Sequence, residues 1–271
     1  MKKTLLLLAV GCGLSLFLAQ CKKETKNPAP EVTETVLSQI KSLGFSTQNV
    51  HATDEGYLVE GDILLTPDLL NSAPSSSPTL RVANSEQYRT TYLVTGLPRT
   101  ITVGTSSLGQ AYIDGAKLAI GRFNALNLQL KFQFVTSGKP TINIRGFNQP
   151  PSGGYITLGS AGFPSSKGDP YREIKMNTNQ YAYGSNPDVN YVGSVIQHEL
   201  GHCIGFRHTD YMNRAYSCGG SASNEGASSV GAILIPGTPS GPDANSWMLA
   251  CSNGGDRTFN SNDIEALNFL Y

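Results

Sequence analysis

"VIQHELGHCIGFRHTD", residues 195–210, places three histidines within eleven positions of a 271-residue chain that contains only four. On a helix, residues four apart lie on one face about a turn apart, so His198 and His202 would point side by side at one ion. Glu199 sits one position around from them. In that arrangement two imidazoles hold zinc while the carboxylate takes a proton from water. Gly205 can leave the helix through a positive φ, and the turn would bring His208 back as a third nitrogen ligand. Three neutral nitrogens leave one coordination position open, as catalytic zinc sites do and structural ones do not. Val192, Val195 and Ile196 would seat such a helix in a core. Asn186 or Asp188 would cap its start, with Pro187 near the first turn.

Outward from this helix the chain reads as α+β. Upstream, "TITVGT" (100–105) is β-rich, and Ala111, Ile113, Ala116, Ala119, Ile120 and Phe123 form an apolar stripe at helical period. "LQLKFQFV" (128–135) and "TINIRGF" (141–147) have period-two character, and "GYITLGSAGF" and "REIKMNT" (172–178) are further strand candidates. Downstream, Gly219 to Pro242 is rich in Gly, Ser and Pro around the island "VGAILI". "SNDIEALNFLY" then closes the chain as a helix capped by Ser261 or Asn262. Nearer the start, Val36, Leu37, Ile40 and Leu43 recur at helical spacing until Gly44, and "YLVEGDILLT" (57–66) is strand-like. The Ser/Pro stretch "NSAPSSSP" (71–78) cannot pack a core and reads as a linker. The organisation expected is an N-terminal segment at 32–90, a possible pro-domain, and a main domain at 91–271.

Lys plus Arg equals Asp plus Glu at 20 each, so no global field argues for nucleic acid or an anionic membrane surface. No nucleotide loop, Ser-His-Asp arrangement or nucleic-acid module is visible. The opening "MKKTLLLLAVGCGLSLFLAQC" has a basic start, an apolar run too short for a comfortable span, and small or polar residues before Cys21. It reads as a secretory signal over 1–20. The end of it resembles the lipobox of bacterial lipoproteins, with Gln20 standing where Gly, Ala or Ser is usual. That resemblance implies lipidation of Cys21, a tether at 21–31, and a place in the bacterial cell envelope; the plain alternative is cleavage near Ala19 and secretion. In an oxidising compartment Cys203, Cys218 and Cys251 remain, so at most one bridge forms within the chain. Cys218 with Cys251 is favoured, because both lie in adaptable Gly/Ser-rich loops, and Cys203 reads as a small buried residue.

His198, Glu199, His202, Gly205 and His208 together resemble the extended zinc motif of the metzincin metallopeptidases. "HELGHCIGFRHTD" is similar to the bacterial HEIGH metallopeptidases of that clan. The resemblance covers about residues 100–271. It implies a mixed twisted sheet with two helices, one of them the zinc helix, and a loop-rich C-terminal part ending in a helix. It also implies Zn2+, a protein or peptide substrate, Glu199 as general base and a methionine turn, for which Met248 in "NSWMLAC" is the candidate and Met212 the weaker one. "REIKMNT" would be the edge strand against which substrate lies antiparallel. Two departures stand out. Ala250 occupies the place of the tyrosine that some metzincins set two residues after the methionine, so an assisting phenol would be Tyr211 or Tyr216. Thr209 follows the third histidine, and Asp210 would anchor the zinc loop, orient a ligand from behind, or cap a turn.

"VEGDI" (59–63) resembles the F-x-G-D segment of astacin propeptides, with Val59 in place of the aromatic. That implies Asp62 as a zinc ligand holding a latent form, with Arg81, Arg89 or Arg99 as activation sites; the alternative is an ordinary Gly-Asp turn. A monomeric, lipid-anchored zinc endopeptidase is the expectation. The competing reading is a non-catalytic surface lipoprotein that keeps a metzincin-like zinc fold and binds a partner.

Overall fold

The computed structural model describes residues 30–71, 87–226, 230–239 and 241–271. The leader, Cys21, most of the Ser/Pro stretch and Arg81 lie outside the described residues. The N-terminal segment begins with α1 (Glu34–Ser42), capped by the Thr33 hydroxyl accepting from the Val36 N–H at 3.3 Å and ended by Gly44 at φ +82°. An antiparallel meander of β1 (His51–Thr53), β2 (Gly56–Val59) and β3 (Ile63–Leu65) follows, then a short α2 (Pro67–Leu70). Ile40, Leu43, Phe45, Tyr57, Val59, Ile63 and Leu65 bury one another into a small core, closed from outside by Phe163 and Val230. A segment this small buries too little to be robust alone, and it leans on the rest of the chain.

The larger body opens with β4 (Tyr88–Arg89), which pairs antiparallel with β10 (Ile233–Leu234). The Gln87 amide donates to Ser246 and Asp263. Residues 87–89, grouped above with the N-terminal segment, are therefore built into the larger body. Its five-stranded sheet runs in the order β6 (Leu130–Phe134), β5 (Arg99–Ser106), β7 (Ile142–Phe147), β9 (Glu173–Asn177), β8 (Gly159–Ser160). The first four are parallel and β8 is antiparallel. Parallel neighbours need a crossover, and α3 (Gln110–Ala125) supplies the one between β5 and β6. The short α4 (Gln180–Tyr183) leads into α5 (Val189–Ile204), which packs on α3 so tightly that a Cβ on Gly115 would lie 2.9 Å from Val192. Ile101, Val103, Phe123, Ile144, Ile174, Val192, Ile196 and Leu200 make the core between these layers. After α5 come loops, α6 (Ala215–Cys218) and α7 (Ser261–Leu270).

Two expectations change. "REIKMNT" is not the edge: β9 lies between β7 and β8, and the edge is the two-residue β8. Gly159 and Ser160 lie inside the strand candidate "GYITLGSAGF", and they alone of it pair with β9. The cap of α7 is Asn260, one residue before the expected pair; it accepts from the Asn262 and Asp263 N–H groups while Asp263 accepts from its own N–H. That reciprocal box satisfies donors that Ser261 could not reach.

Candidate metal centre

The helix α5 starts where the Asp188 carboxylate accepts from the Tyr191 N–H at 2.9 Å, and it ends at Gly205 with φ +112°. A Cβ there would lie 2.7 Å from Leu93 and 3.0 Å from the Tyr92 carbonyl, so both conformation and space require glycine. The chain turns back, and the Arg207 N–H donates to the Tyr88 carbonyl at 2.9 Å, which sets His208 beside the helix. One ligand atom each from Asp62, His198, His202 and His208 then lies within 4.8 Å of the others.

Each imidazole is fixed from behind. Nδ1 of His198 lies 3.0 Å from the Trp247 carbonyl, and Nδ1 of His202 lies 2.9 Å from the Phe206 carbonyl. A carbonyl only accepts, so both Nδ1 atoms carry protons and both Nε2 atoms offer lone pairs to the centre. His208 places its Nδ1 2.8 Å from Glu225 and its Nε2 3.2 Å from that of His202. Asp62 Oδ2 lies 3.1 Å from His208 Nε2 and 3.5 Å from His198 Nε2. His198 Nε2, Asp62 Oδ1 and Glu199 Oε2 are buried without a hydrogen-bond partner. Lone pairs and orphaned oxygens converging on one point fit a cation there, and three imidazoles with a carboxylate are a donor set suited to zinc.

The titration directions follow the mix of burial and charge around the centre. Burial opposes it, yet Asp62 and Glu225 together push His208 up. Burial likewise opposes, yet His208 and His198 hold the Asp62 carboxyl well below the usual range. Burial and then the neighbouring histidines lower His202. Glu199 is raised by its own burial and by Asp62, against the pull of His208. Its carboxyl sits under the edge strand, where a Cβ on Gly159 would come within 2.7 Å of Oε1.

Met248 is fully buried beneath the helix, where a Cβ on Gly201 would meet Trp247 at 2.6 Å and the Met248 sulfur at 2.7 Å. The turn also holds the far end of the motif, because the Thr209 N–H donates to the Met248 carbonyl at 2.9 Å. Met212, the other candidate, does not make these contacts. Asp210 touches no histidine. It accepts from the Ala250 N–H at 2.9 Å and the Ser217 hydroxyl at 2.6 Å, tying the loop after His208 to the chain after Met248. The carboxylate behind His208 is Glu225, which the sequence reading missed. Its signal was there: it is the only charged residue in the Gly/Ser stretch "SCGGSASNEGASS". Cys218 and Cys251 are bridged and Cys203 is free and buried. Neither candidate phenol faces the histidines. Tyr211 is buried edge-on against Tyr88, with ring centroids 4.4 Å apart, and the Tyr216 hydroxyl donates to the Pro242 carbonyl at 2.9 Å.

"VEGDI" is a turn, and its Asp62 lies against the histidines. It is the tip of the β2–β3 hairpin, with Glu60 at φ +56° and Gly61 at φ +93°, and that turn is what carries Asp62 to the histidines. The hairpin lies along the edge strand: the Ala161 N–H donates to the Asp62 carbonyl at 3.0 Å, the Leu64 N–H donates to the Ala161 carbonyl at 2.9 Å, and Ile63 pairs with Ala161 in parallel. Around the tip remains a cleft of about 370 Å³ lined by His198, Glu199, Leu158, Tyr155 and Arg214 among others.

The sequence pattern of the dual-action HEIGH metallo-peptidases matches residues 58–271. Among solved structures, one of myroilysin is 14% identical with a TM-score of 0.43, over 66% of this chain and 95% of that one. A second, a crystal structure of myroilysin, is 13% identical with a TM-score of 0.42, over 66% of this chain and 86% of that one. No curated protein matches the chain.

Proposed function

Since the chain belongs to the dual-action HEIGH metallopeptidase family, we propose that it is a zinc-dependent endopeptidase made as a latent precursor and held at the cell envelope by a lipid on Cys21. Convergence of His198, His202 and His208 on one point, with orphaned polar atoms around it, is the observation that carries the reading. Bound there, zinc supplies a Lewis acid that polarises the scissile carbonyl and makes water a stronger acid. Glu199, whose Oε2 has no partner and whose burial raises its proton affinity, accepts the proton of the attacking water. It then hands that proton to the leaving amine, and no covalent intermediate on the protein is needed. Trp247, Phe206 and Glu225 keep the three imidazoles aimed while this happens. Substrate lies antiparallel along β8, in the place the hairpin occupies, and Asp62 keeps the site closed until the chain is cut within 72–86 or at Arg89 or Arg99. Of these, Arg89 lies in the β4–β10 pair and Arg99 begins β5, so a cut in the linker disturbs the body least.

The test is casein hydrolysis by the cut chain. Loss on chelation, recovery with zinc, and loss of turnover in Glu199→Gln with zinc still bound by elemental analysis are the expected results. Hydrolysis indifferent to chelation, or a Glu199→Gln variant of normal rate, overturns the proposal. A zinc-bearing chain that cleaves nothing would instead favour the non-catalytic lipoprotein.

A further inference from the structure

The hairpin that brings Asp62 to the histidines carries a second carboxyl inward, two residues earlier. Glu60 is 4% exposed; its Oε1 accepts from the Ser46 N–H at 3.2 Å and its Oε2 lies 3.5 Å from Arg207 Nη2. Arg207 is fully buried yet belongs to the larger body, donating to the Gly231 and Gly226 carbonyls at 3.2 and 3.3 Å and lying 3.6 Å from Glu225. Its Nε has no partner. Its guanidinium stands 5.0 Å from the ring of Phe45, on the N-terminal segment, and 5.8 Å from that of Phe163 on the body. At the rim of the cleft, Arg214 reaches Glu225 at 3.2 Å and donates to the Glu60 carbonyl. With the hairpin seated, two guanidinium groups face two carboxyls. Its departure removes Glu60 and Phe45 together and leaves Arg207 facing Glu225, with Arg214 held by Glu225 and, more weakly, by Asp210.

We infer that the space filled by Glu60 is a substrate subsite for an acidic side chain, with Arg207 as its floor and Arg214 at its rim. The inference rests on the reading of the hairpin as a displaceable plug. An arginine left short of counter-charge in a mostly buried site is costly, and a substrate carboxylate can take the place of the Glu60 carboxyl that faced it. In the closed chain burial and Glu225 work against charge on Glu60. Once the hairpin no longer shuts out water, that penalty falls for an incoming carboxylate. Direction places the subsite. β3 continues from Asp62 parallel to the edge strand, whereas substrate runs antiparallel, so residues before Asp62 occupy the side from which the leaving amine departs.

The test uses the chain cut within 72–86 and freed of its N-terminal piece, a body that keeps its own core. Matched fluorogenic peptides carry Glu, Gln or Lys at each of the two positions after the scissile bond. Glu is expected to be cleaved roughly tenfold faster than Gln at one of them, as a charge-assisted hydrogen bond gives, and Lys slowest. Arg214→Glu should lower the Glu-to-Gln ratio. Equal rates for Glu and Gln at both positions overturn the subsite while leaving the peptidase standing. A binding arm covers a body that hydrolyses nothing: a synthetic peptide of residues 56–65 is titrated calorimetrically into zinc-loaded Glu199→Gln protein. Roughly tenfold weaker binding of its Glu60→Gln form supports the subsite even if the peptidase reading has failed; equal binding ends it.

Discussion

Asp62 Oδ2 lies 3.1 Å from His208 Nε2, across 146 positions of sequence. The contact joins the tip of a hairpin in one core to the zinc loop of another. A charge-assisted contact of this kind contributes about 1.5–3 kcal/mol, which is roughly ten- to a hundredfold in the population of the open cleft. The uncut Asp62→Ala chain should therefore hydrolyse peptides at least roughly tenfold faster than the uncut wild type. After cutting within 72–86 the two should converge. An uncut variant as slow as wild type would mean that the hairpin backbone on β8, not the carboxylate, keeps the site closed.

Glu225 is asked to aim His208 while balancing two arginines. Burial alone would raise its carboxyl, but His208, Arg214 and Arg207 hold it at about 2. Glu225→Gln keeps the shape and an acceptor for Nδ1 but removes the charge. Zinc affinity should fall roughly ten- to a hundredfold, the usual effect of losing such a partner behind a ligand. Competition titration against a chromophoric chelator measures it directly. Unchanged affinity would show that the loop geometry alone fixes the imidazole.

Much of this site was legible because its parts are local. His198, Glu199 and His202 share one helix, Gly205 ends it at φ +112°, and His208 follows on the return, so spacing and chain geometry suffice. Glu225 was not legible, since nothing local ties it to His208 and only the fold of a Gly/Ser loop brings it there. The edge strand failed for a related reason. β9 has a strand's composition and was read as the edge, but the edge is Gly159–Ser160 within the candidate "GYITLGSAGF", and the order of strands in a sheet is not a local property. "VEGDI" is the instructive case: a turn reading and a ligand reading were set against each other, yet the turn is what places Asp62 beside His198 and His208.

Gly201 marks where the helix touches the methionine turn. A Cβ there would stand 2.6 Å from Trp247 and 2.7 Å from the Met248 sulfur. Trp247 has no room to retreat, being packed edge-on against Phe123, Phe206 and Phe259. Overpacking of this sort costs about 1–3 kcal/mol, more than the 0.5–1 kcal/mol by which alanine improves a helix. Gly201→Ala should lower the thermal midpoint by several degrees. Gly121→Ala on α3, where the added Cβ meets nothing within 4 Å, should leave the midpoint equal or higher. If both variants behave alike, the turn is looser than its contacts imply.

A second anchor holds the N-terminal segment far from the histidines. Glu55, in the β1–β2 turn, is paired with Arg145 and lies 2.5 Å from Lys175 Nζ, while Arg145 also meets Glu173 at 2.9 Å. Arg145 and Lys175 project from β7 and β9, so this contact pins the base of the hairpin to the sheet as Asp62 pins its tip. The groups are partly exposed and salt screens them, which limits the contact to a modest share of latency. Glu55→Lys places like charges together. The uncut variant should hydrolyse peptides roughly two- to fivefold faster than uncut wild type at low salt, a gap that shrinks as ionic strength rises. Adding Lys175→Glu restores an opposite pair and should bring the rate back down, which simple unfolding of the segment would not do. Progress curves of the three uncut proteins at two salt concentrations decide it. If Glu55→Lys is as latent as wild type at low salt, the hairpin is held by its tip and its core alone.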